Sequence, residues 1–586
     1  MNERWNLDVI YAGFDAPEFQ KDMEALKATA SELAEYAQKL DNEDAAVALR
    51  RGVDLVEQVA ELVNKLAGYA SLVQSADAKN AQAPSYLGLI MSVYSAVAGP
   101  QAAFEKFVSE IPEEKLKDIL ANDEKLADYA YLIGKIRLDS AHLLDSKCEE
   151  IMAKMSLSGG DAWSDLQGYL TSTVAVDYDG GVTNLSSIRN LAYDADPGVR
   201  RRAYEAELKA YDKIKDAVAF ALNSIKLETL TDCELRGYAS PLDRTLSRSA
   251  MKRETLEAML EAMVEYMPVF RKYLKAKAKA LGHEDGLPFY DLFAPMGSSG
   301  KTYTAEEARD YLLAIFKRFD TELHDMVKTA FDEEWIDFYP RDGKRGGAFC
   351  AGVECIEQSR ILTNFDGSFS DVVTLAHELG HAFHNLCIKD HRPLNHDYSM
   401  PVAETASTFN ECIVMSTAIK DASSKEEKIA LLESRISDLT QIIVDIYSRF
   451  CFEAEVFEKR PTQFLPADAL CQIMLDAQDK SYGDGLDKNF KHPFMWVCKS
   501  HYYGPTFYNF PYAFGGLFAR GLYAQYEEEG ESFVAKYKKL LHGTPVASVE
   551  DAALIAGIDL TDKSFWQKAL ANAAEEIEEL VALLEG

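Results

Sequence analysis

Residues Thr374–His384 have the sequence TLAHELGHAFH, and apolar residues on both sides of them are typical of a buried helix. In a helix, His377 and His381 lie one turn apart on the same face, so both imidazoles can reach one metal ion. Glu378 lies beside them, near enough to touch a water molecule on that ion. The stretch therefore predicts a helix that carries a metal site.

This spacing is the H-E-x-x-H pattern of zinc metallopeptidases. A chance match on an exposed helix is the alternative, but the flanks are apolar. Burying His and Glu there is costly unless they are paired or bound to metal. Gly380 lies inside the helix, where glycine typically costs about 1 kcal/mol relative to alanine, which predicts that another part of the chain packs close to the backbone. We therefore favour a zinc site.

A catalytic zinc ion usually takes three protein ligands and keeps one position for water. The candidates for the third ligand are Glu404, His384, His391 and His396. Glu404 lies in a predicted helix that starts at about Met400 and is favoured, whereas His384 is two turns away from His377. Glu411 follows Glu404 by seven residues, about 10 Å along a helix, so we expect it to orient a histidine rather than to bind the same ion.

The expected chemistry follows from these ligands. Zinc polarises a scissile carbonyl and lowers the pKa of its bound water towards about 7. Glu378 accepts the proton of that water and then delivers it to the leaving amine. The developing oxyanion needs a further donor. The segment from His501 to Tyr512, HYYGPTFYNFPY, offers His501, Tyr508 and Tyr512, although aromatic clusters more often belong to a core.

The 586-residue chain carries 62 Lys and Arg against 95 Asp and Glu, a formal charge of −33. That charge argues against nucleic acid or an anionic membrane as a partner. The N-terminus lacks a basic region followed by an apolar core, and we expect no apolar run long enough to span a bilayer. Nine cysteines without a C-x-x-C pair are typical of reduced thiols. We therefore expect a cytoplasmic protein.

Helical periodicity dominates the chain, in particular over 16–155, 196–232, 252–282, 425–480 and 512–584. Two short regions favour strands: a hairpin over 169–185 around Asp179-Gly180-Gly181, and a small sheet over 335–368, directly before the metal helix. We place a domain boundary at the hairpin. Residues 1–185 are then an N-terminal helical lobe that forms a wall or lid, and residues 186–586 are the catalytic region.

Several segments resemble the M3 family of zinc metallopeptidases, of the oligoendopeptidase F type. They are Asn364–Gly367 (NFDG), Thr374–His384, Pro401–Glu411 and Tyr508–Gly515 (YNFPYAFG). The resemblance implies a mainly α, zincin-type fold of many helices, with a small β-sheet next to the active-site helix and two lobes around a deep channel. It also implies one Zn²⁺ per chain and short unstructured peptides as substrates. Glu404 matches the family's third ligand, and His501, Tyr508 and Tyr512 match its region of transition-state contacts.

Two other functions compete with this expectation. A zinc carboxypeptidase would need a basic residue for the free C-terminal carboxylate, and Arg341, Lys344 or Arg345 could provide it. A helical peptide-binding protein with a structural metal would have four protein ligands and no role for Glu378. The leading expectation is a zinc endopeptidase that hydrolyses internal bonds of short oligopeptides through a Glu-activated, zinc-bound water.

Overall fold

A computed structural model describes residues 3–297 and 301–585, and it is mostly α-helical, as the sequence predicts. Before the first strand the chain forms α1 (Pro17–Ala37), α2 (Ala45–Ala76), α3 (Gln82–Glu110), α4 (Glu113–Asn122), α5 (Glu124–Asp128), α6 (Ala130–Ser140), α7 (Ser146–Ser156) and α8 (Gly160–Thr173). Between the two β regions it forms α9 (Leu185–Asn190), α10 (Pro197–Asp212), α11 (Lys215–Leu235), α12 (Pro241–Arg248), α13 (Arg253–Ala280), α14 (Ala305–Phe319) and α15 (Thr321–Asp332).

The C-terminal helices follow the second β region. They are α16 (Phe369–Ile388), α17 (Met400–Ala403), α18 (Thr405–Lys420), α19 (Lys425–Thr440), α20 (Ile446–Lys459), α21 (Ala467–Ser481), α22 (Met495–Cys498), α23 (Phe510–Glu529), α24 (Glu531–Gly543), α25 (Val549–Ile555) and α26 (Lys563–Glu585). A π-helical turn over Gln441–Asp445 joins α19 to α20. Such turns are frequent at functional sites.

The strands form two small sheets. In the first, β1 (Val176–Tyr178) and β2 (Gly181–Thr183) make an antiparallel hairpin. The second has the order β3-β5-β4, from β3 (Ile336–Asp337), β4 (Phe349–Val353) and β5 (Gln358–Leu362). The β5 strand is parallel to β3 and antiparallel to β4, with Phe349 opposite Leu362. Because α16 packs on β4 and β5, the predicted sheet beside the metal helix is confirmed.

The buried side chains form several cores, and two of them meet at this sheet. The largest core contains buried residues of α13, α14, α16, α18, α23 and α26. A second joins β1 and α9–α11 to α20–α22. A third joins α1–α3 to the sheet through Val353 and Leu362. The N-terminal helices are thus packed onto the sheet that supports α16, while the domain boundary at 185/186 stays a prediction.

Some predicted elements have different limits in the structure. The hairpin turn is present, but residues 169–173 belong to α8, because Gln167 of that helix is buried and its amide donates to the carbonyl of Val497. The predicted helix over 196–232 is divided between α10 and α11. The predicted helix from Met400 is interrupted at Glu404, which separates α17 from α18.

One helix among the described residues, α3, is long enough and apolar enough to cross a membrane. The expectation that no apolar run reaches that length is therefore wrong. This finding rests on the length and composition of α3 alone. Only 17% of its apolar 18-residue segment is buried inside the protein. The expected absence of a membrane partner stays a prediction.

Candidate metal centre

The start of α16 is determined by local hydrogen bonds. Ser368 caps the helix together with Asp371 in a reciprocal capping box. The Asp371 carboxylate also accepts hydrogen bonds from the backbone N–H groups of Asp366 and Gly367, at 2.9 and 3.1 Å. Gly367 has a φ of +97°, which disfavours any residue other than glycine. The segment before the helix thus sets its first residue and the face that each later residue occupies.

Helix α16 crosses α18 in close contact at Gly380. A Cβ atom at this position would lie 2.5 Å from the carbonyl oxygen of Ala406 and from the Cα atom of Ser407. The crossing is tied by the amide of Asn410, which donates to the carbonyl oxygen of Ala376 at 3.2 Å. The predicted close approach at Gly380 is confirmed, and it brings the residues before α18 towards the two histidines.

The crossing places three potential ligand atoms together. Nε2 of His377 lies 3.2 Å from Nε2 of His381 and 3.2 Å from Oε2 of Glu404, and His381 Nε2 lies 3.4 Å from the same oxygen. Ligands at about 2.0–2.1 Å in tetrahedral geometry are about 3.3 Å apart. The separations and the His₂Glu donor set therefore fit one zinc ion.

Glu404 occupies the junction between α17 and α18. Its φ of −90° and ψ of 8° lie in the sparsely allowed bridge region, where many active-site residues are found. The Ser407 hydroxyl donates to Glu404 Oε2 at 2.8 Å and orients the carboxylate. The sequence interpretation missed Ser407, although its position one turn after Glu404 could have indicated this contact.

Glu411 contacts the far side of His377. Its Oε1 atom lies 2.5 Å from Nδ1 of the imidazole. If that nitrogen donates its proton to the carboxylate, the lone pair of Nε2 is free for a metal. Without a cation, burial lowers the pKa of His377, but Glu404 and Glu411 more than offset this and raise it to about 10. A metal ion at Nε2 would replace the proton held there.

Glu378 is 6% exposed and forms no hydrogen bond or ion pair with a residue in the described ranges. Burial raises the pKa of its carboxyl, against the opposing effect of His377 and His381. Burial together with the nearby Glu378 carboxylate also raises the pKa of the Cys350 thiol, so Glu378 lies towards β4. A carboxylate in this position is available to a water molecule or a substrate.

His501, Tyr508 and Tyr512 form one aromatic cluster, which we call the aromatic wall. The ring centroids of His501 lie 5.5 Å from Tyr508 and 5.9 Å from Tyr512, and the two tyrosines are 5.6 Å apart. Tyr512 belongs to the first turn of α23, not to a loop. One turn later, a Cβ atom on Gly515 would lie 3.2 Å from Cβ of Glu404. The aromatic wall therefore borders the candidate ligands.

The pKa shifts of Tyr512 and His501 agree with a position beside Glu404 and the cations of α20 and residue 499. Burial, a hydrogen bond with Tyr508 and the charge of Glu404 raise the pKa of Tyr512. Burial and the positive charges of Arg449 and Lys499 lower the pKa of His501. The Tyr512 hydroxyl and a neutral His501 can then donate hydrogen bonds near neutral pH.

Helix α20 anchors the segment that carries the aromatic wall. The buried carboxylate of Glu453 accepts from Lys226 at 2.6 Å and from the backbone N–H of Phe507 at 3.2 Å. Arg449 donates to the side chain of Asn509 at 3.2 Å. The sequence interpretation missed these anchors, because no local pattern links α20 to a segment some fifty residues later.

The rival ligands are engaged elsewhere. His384 is fully buried, Nε2 lies 2.8 Å from the Thr544 hydroxyl, and burial lowers its pKa to about 3. His391 Nε2 lies 2.6 Å from the carbonyl oxygen of His542, and His396 Nε2 lies 2.9 Å from that of His391. None of the three belongs to the group of ligand atoms within 4.8 Å of one another.

Comparisons with known proteins match nearly the whole chain. The sequence model of peptidase family M3 matches residues 190–572, and a model described as oligopeptidase F matches residues 108–174. The chain is 25% identical to oligopeptidase PepF of Bacillus subtilis, over 99% of this chain and 87% of that protein. It is 24% identical to an oligoendopeptidase F homolog of Lactococcus lactis, over 98% and 97%.

Solved structures share the fold. A crystal structure from Chlamydophila abortus superposes with a TM-score of 0.86 at 22% identity, over 99% of this chain and 98% of that chain. Oligoendopeptidase-F from Enterococcus faecium gives a TM-score of 0.71 at 19% identity, over 97% and 99%. Since the family model spans more than half of the sequence, this protein belongs to peptidase family M3, a family of metallopeptidases that hydrolyse peptides.

Proposed function

We propose that this M3 peptidase is a zinc-dependent endopeptidase that cleaves internal bonds of short unstructured oligopeptides. His377, His381 and Glu404 would hold one Zn²⁺, Glu378 would be the general base, and Glu411 would orient His377. The observation that carries the proposal is the set of ligand-atom separations of 3.2–3.4 Å beside the unpartnered, buried carboxylate of Glu378.

When bound, zinc polarises the scissile carbonyl and makes water more acidic. Glu378 takes a proton from the attacking water and then gives it to the nitrogen of the leaving amine. Its raised pKa suits the first of these transfers, because a carboxylate that holds a proton more firmly is a better base. Tyr508, Tyr512 and His501 donate hydrogen bonds to the carbonyl oxygen as negative charge develops there.

The geometry argues against a structural metal. Among the described residues, the group of potential ligand atoms around His377 has three members, which leaves one coordination position for water. A structural site would instead be closed by a fourth side chain.

For the carboxypeptidase alternative, two of the three candidate residues for binding a free C-terminal carboxylate already have partners in the fold. Arg341 donates to both carboxylate oxygens of Asp337 at 2.6 and 2.9 Å, and Lys344 pairs with the same carboxylate at 2.6 Å. Both cations are thus used within the fold. Arg345 lies over the ring of Phe349, with its guanidinium 5.6 Å from the centroid.

We further propose that residues 1–185 form a wall of a channel between two lobes, and that the protein is cytoplasmic. The first is supported by the packing of α1–α3 onto the sheet that supports α16. The second is supported by the cysteines, which are all free in the part of the chain that the structure describes.

The test combines metal analysis with a peptide blocked at both ends. The zinc-loaded enzyme is expected to cleave that peptide internally, as mass spectrometry of the products would reveal, and a chelator should abolish cleavage. Glu378→Gln should keep one zinc per chain while turnover falls by about 10³-fold. Glu528→Gln, the same change at an exposed position on α23, is the control. Retained turnover in Glu378→Gln, or no cleavage of any blocked peptide, would refute the proposal.

A further inference from the structure

One cavity lies near the aromatic wall, since Lys499 in its lining precedes His501 by two residues. It has a volume of about 260 Å³ and is bordered by α9, α10, residues 288–293 and residues 492–499. We call it the Lys499 recess. Its walls include Arg189, Tyr193, Glu207, Phe293, His492 and Lys499. The rings of Tyr193 and Phe293 are 5.1 Å apart, and Tyr193 is 63% exposed, so an aromatic pair lies where the recess meets solvent.

The Lys499 recess adjoins the candidate active site on two sides. Lys499 precedes His501 by two residues, and its charge contributes to the lowered pKa of that histidine. On the other side, burial and the charge of Asp438 raise the pKa of Tyr193, and Asp438 is itself close enough to Glu411 for the two carboxylates to interact. Glu411 contacts His377, so a chain of neighbouring residues links the recess to the candidate ligands.

The cations of the recess are not equally compensated. Arg200, which also borders the recess, pairs with Asp291 at 2.7 Å, and Arg189 lies 3.5 Å from Glu207. The side chain of Lys499 forms no hydrogen bond or ion pair with any residue that the structure describes. Burial and the neighbouring Arg449 lower its pKa. Asp445 lies close enough to act on this charge, but no described side chain contacts the ammonium group, and this leaves it available to an anionic ligand.

A second polar side chain in the recess has no good hydrogen bond among the described residues. His492 is 1% exposed, and neither of its ring nitrogens has a hydrogen bond to a residue in the described ranges. Nε2 lies 3.5 Å from Oε1 of Glu207, just beyond good hydrogen-bond length, and the ring packs 5.0 Å from that of Phe289. Buried polar groups are rarely left unsatisfied, so the recess has capacity for a polar ligand.

We propose that the Lys499 recess binds a carboxylate of the peptide substrate, through the ammonium group of Lys499. The enzyme would then favour oligopeptides with an acidic side chain, or a free C-terminus, at one particular distance from the cleaved bond. The carboxylate is the anionic group that peptides carry, and a volume near the lower end of small-molecule pockets suits a single residue. This inference rests on the proposed peptidase function, because it takes the ligand to be the substrate.

The experiment uses pairs of peptides that differ by one charge. One series has Glu or Gln at each position in turn, and another has a free or amidated C-terminus. The ratio of kcat/KM within each pair is measured with the zinc-loaded enzyme, and the ratio of Kd is measured with Glu378→Gln. We expect one position at which the carboxylate is favoured by about tenfold, the effect of one charge-assisted hydrogen bond.

Three variants of Lys499 and one control identify the residue responsible. Lys499→Met should reduce the ratio at that position to about one, and Lys499→Arg should keep most of it. Lys499→Glu should reverse it, so that a peptide with Lys is favoured over one with Glu. The control is Lys488→Met, the same loss of charge at an exposed position outside the recess, and it should keep the wild-type ratio. Because each ratio compares two peptides on one enzyme, a general change in activity cancels.

Two outcomes would overturn the proposal. One is a wild-type ratio near one at every position, which requires no variant and so does not depend on folding. The other is a tenfold ratio that persists in Lys499→Met. The failure of the proposed function looks different: the zinc-loaded wild-type enzyme would then cleave no peptide at all, while the ratio of Kd could still be measured.

Discussion

Two regions of the site hold their polar side chains in different ways. One is the crossing of α16 and α18, and the other is the aromatic wall. At the crossing, the helix backbones are in close contact at Gly380. The two ring nitrogens of His377 lie 3.2 Å from Oε2 of Glu404 and 2.5 Å from Oε1 of Glu411. In the aromatic wall, the rings are 5.5–5.9 Å apart, and a Cβ atom on Gly504 would have nothing within 4 Å.

This difference matches the positional precision that metal ligands and oxyanion donors each require. Metal ligands have to be held within a few tenths of an ångström, which two packed helices achieve. Donors to a developing oxyanion need their final positions only when substrate is bound. Phe507, next to Tyr508, has a φ of +51°, a conformation that is uncommon for a residue other than glycine. Its anchoring by Glu453 shows how the less regular segment is held.

The largest expected effect on kcat/KM comes from removing one of the proposed metal ligands at the crossing. Glu404→Gln should lose zinc, and kcat/KM should fall by about 10³-fold or more, because metal stabilisation of the transition state is worth several kcal/mol. Zinc content and peptide cleavage are measured on the same preparation. His396→Gln removes a rival ligand and should keep both; loss of zinc in that variant instead would refute the assignment of Glu404.

A smaller effect is expected in the aromatic wall. Tyr508→Phe and Tyr512→Phe should each lower kcat by about 10²-fold, the usual effect of losing an oxyanion donor. Zinc content should not change, since neither hydroxyl is a proposed ligand. Tyr526→Phe, further along α23, serves as the control. If both wall variants keep wild-type kcat, the wall is structural and the oxyanion donor lies elsewhere.

Glu411→Gln weakens the hydrogen bond to His377 without removing a proposed metal ligand. The amide can still accept a hydrogen bond from Nδ1 of His377, but it lacks the charge that strengthens this bond. We expect zinc affinity to fall by about 10–100-fold, as is typical for a group that orients a metal ligand. Competition with a metal-binding dye measures the change. An affinity equal to that of the wild type would mean that the contact at 2.5 Å does not assist binding.

The same substitution in both regions compares their packing directly. Gly380→Ala places a methyl group 2.5 Å from backbone atoms of α18, and overpacking of this kind costs about 1–3 kcal/mol. We expect a lower free energy of unfolding in urea, although alanine favours the helix by about 1 kcal/mol. Gly504→Ala meets open space and should stay within about 0.5 kcal/mol of the wild type. Equal effects would remove the contrast between the two regions.

Sequence patterns predicted most of the helices, because periodicity and capping are local. They also predicted the sheet before α16 and the family. The limits of elements were harder: residues 169–173 have the composition of a strand but form a helix, since the buried Gln167 contacts Val497 more than three hundred residues away. The Lys499 recess was not predicted at all, because its walls come from segments that no sequence pattern connects.

The sequence by itself determined that His377, Glu378 and His381 share one helical turn, because backbone hydrogen bonds between neighbouring residues set that spacing. Only the tertiary structure decided that Glu404, rather than His384, His391 or His396, lies beside the two histidines. It also left the side chain of Lys499, two residues before His501, without a hydrogen bond or ion pair to any described residue. The physical reason is that such placements depend on how helices pack, and a contact such as that at Gly380 acts between residues that are far apart in the chain.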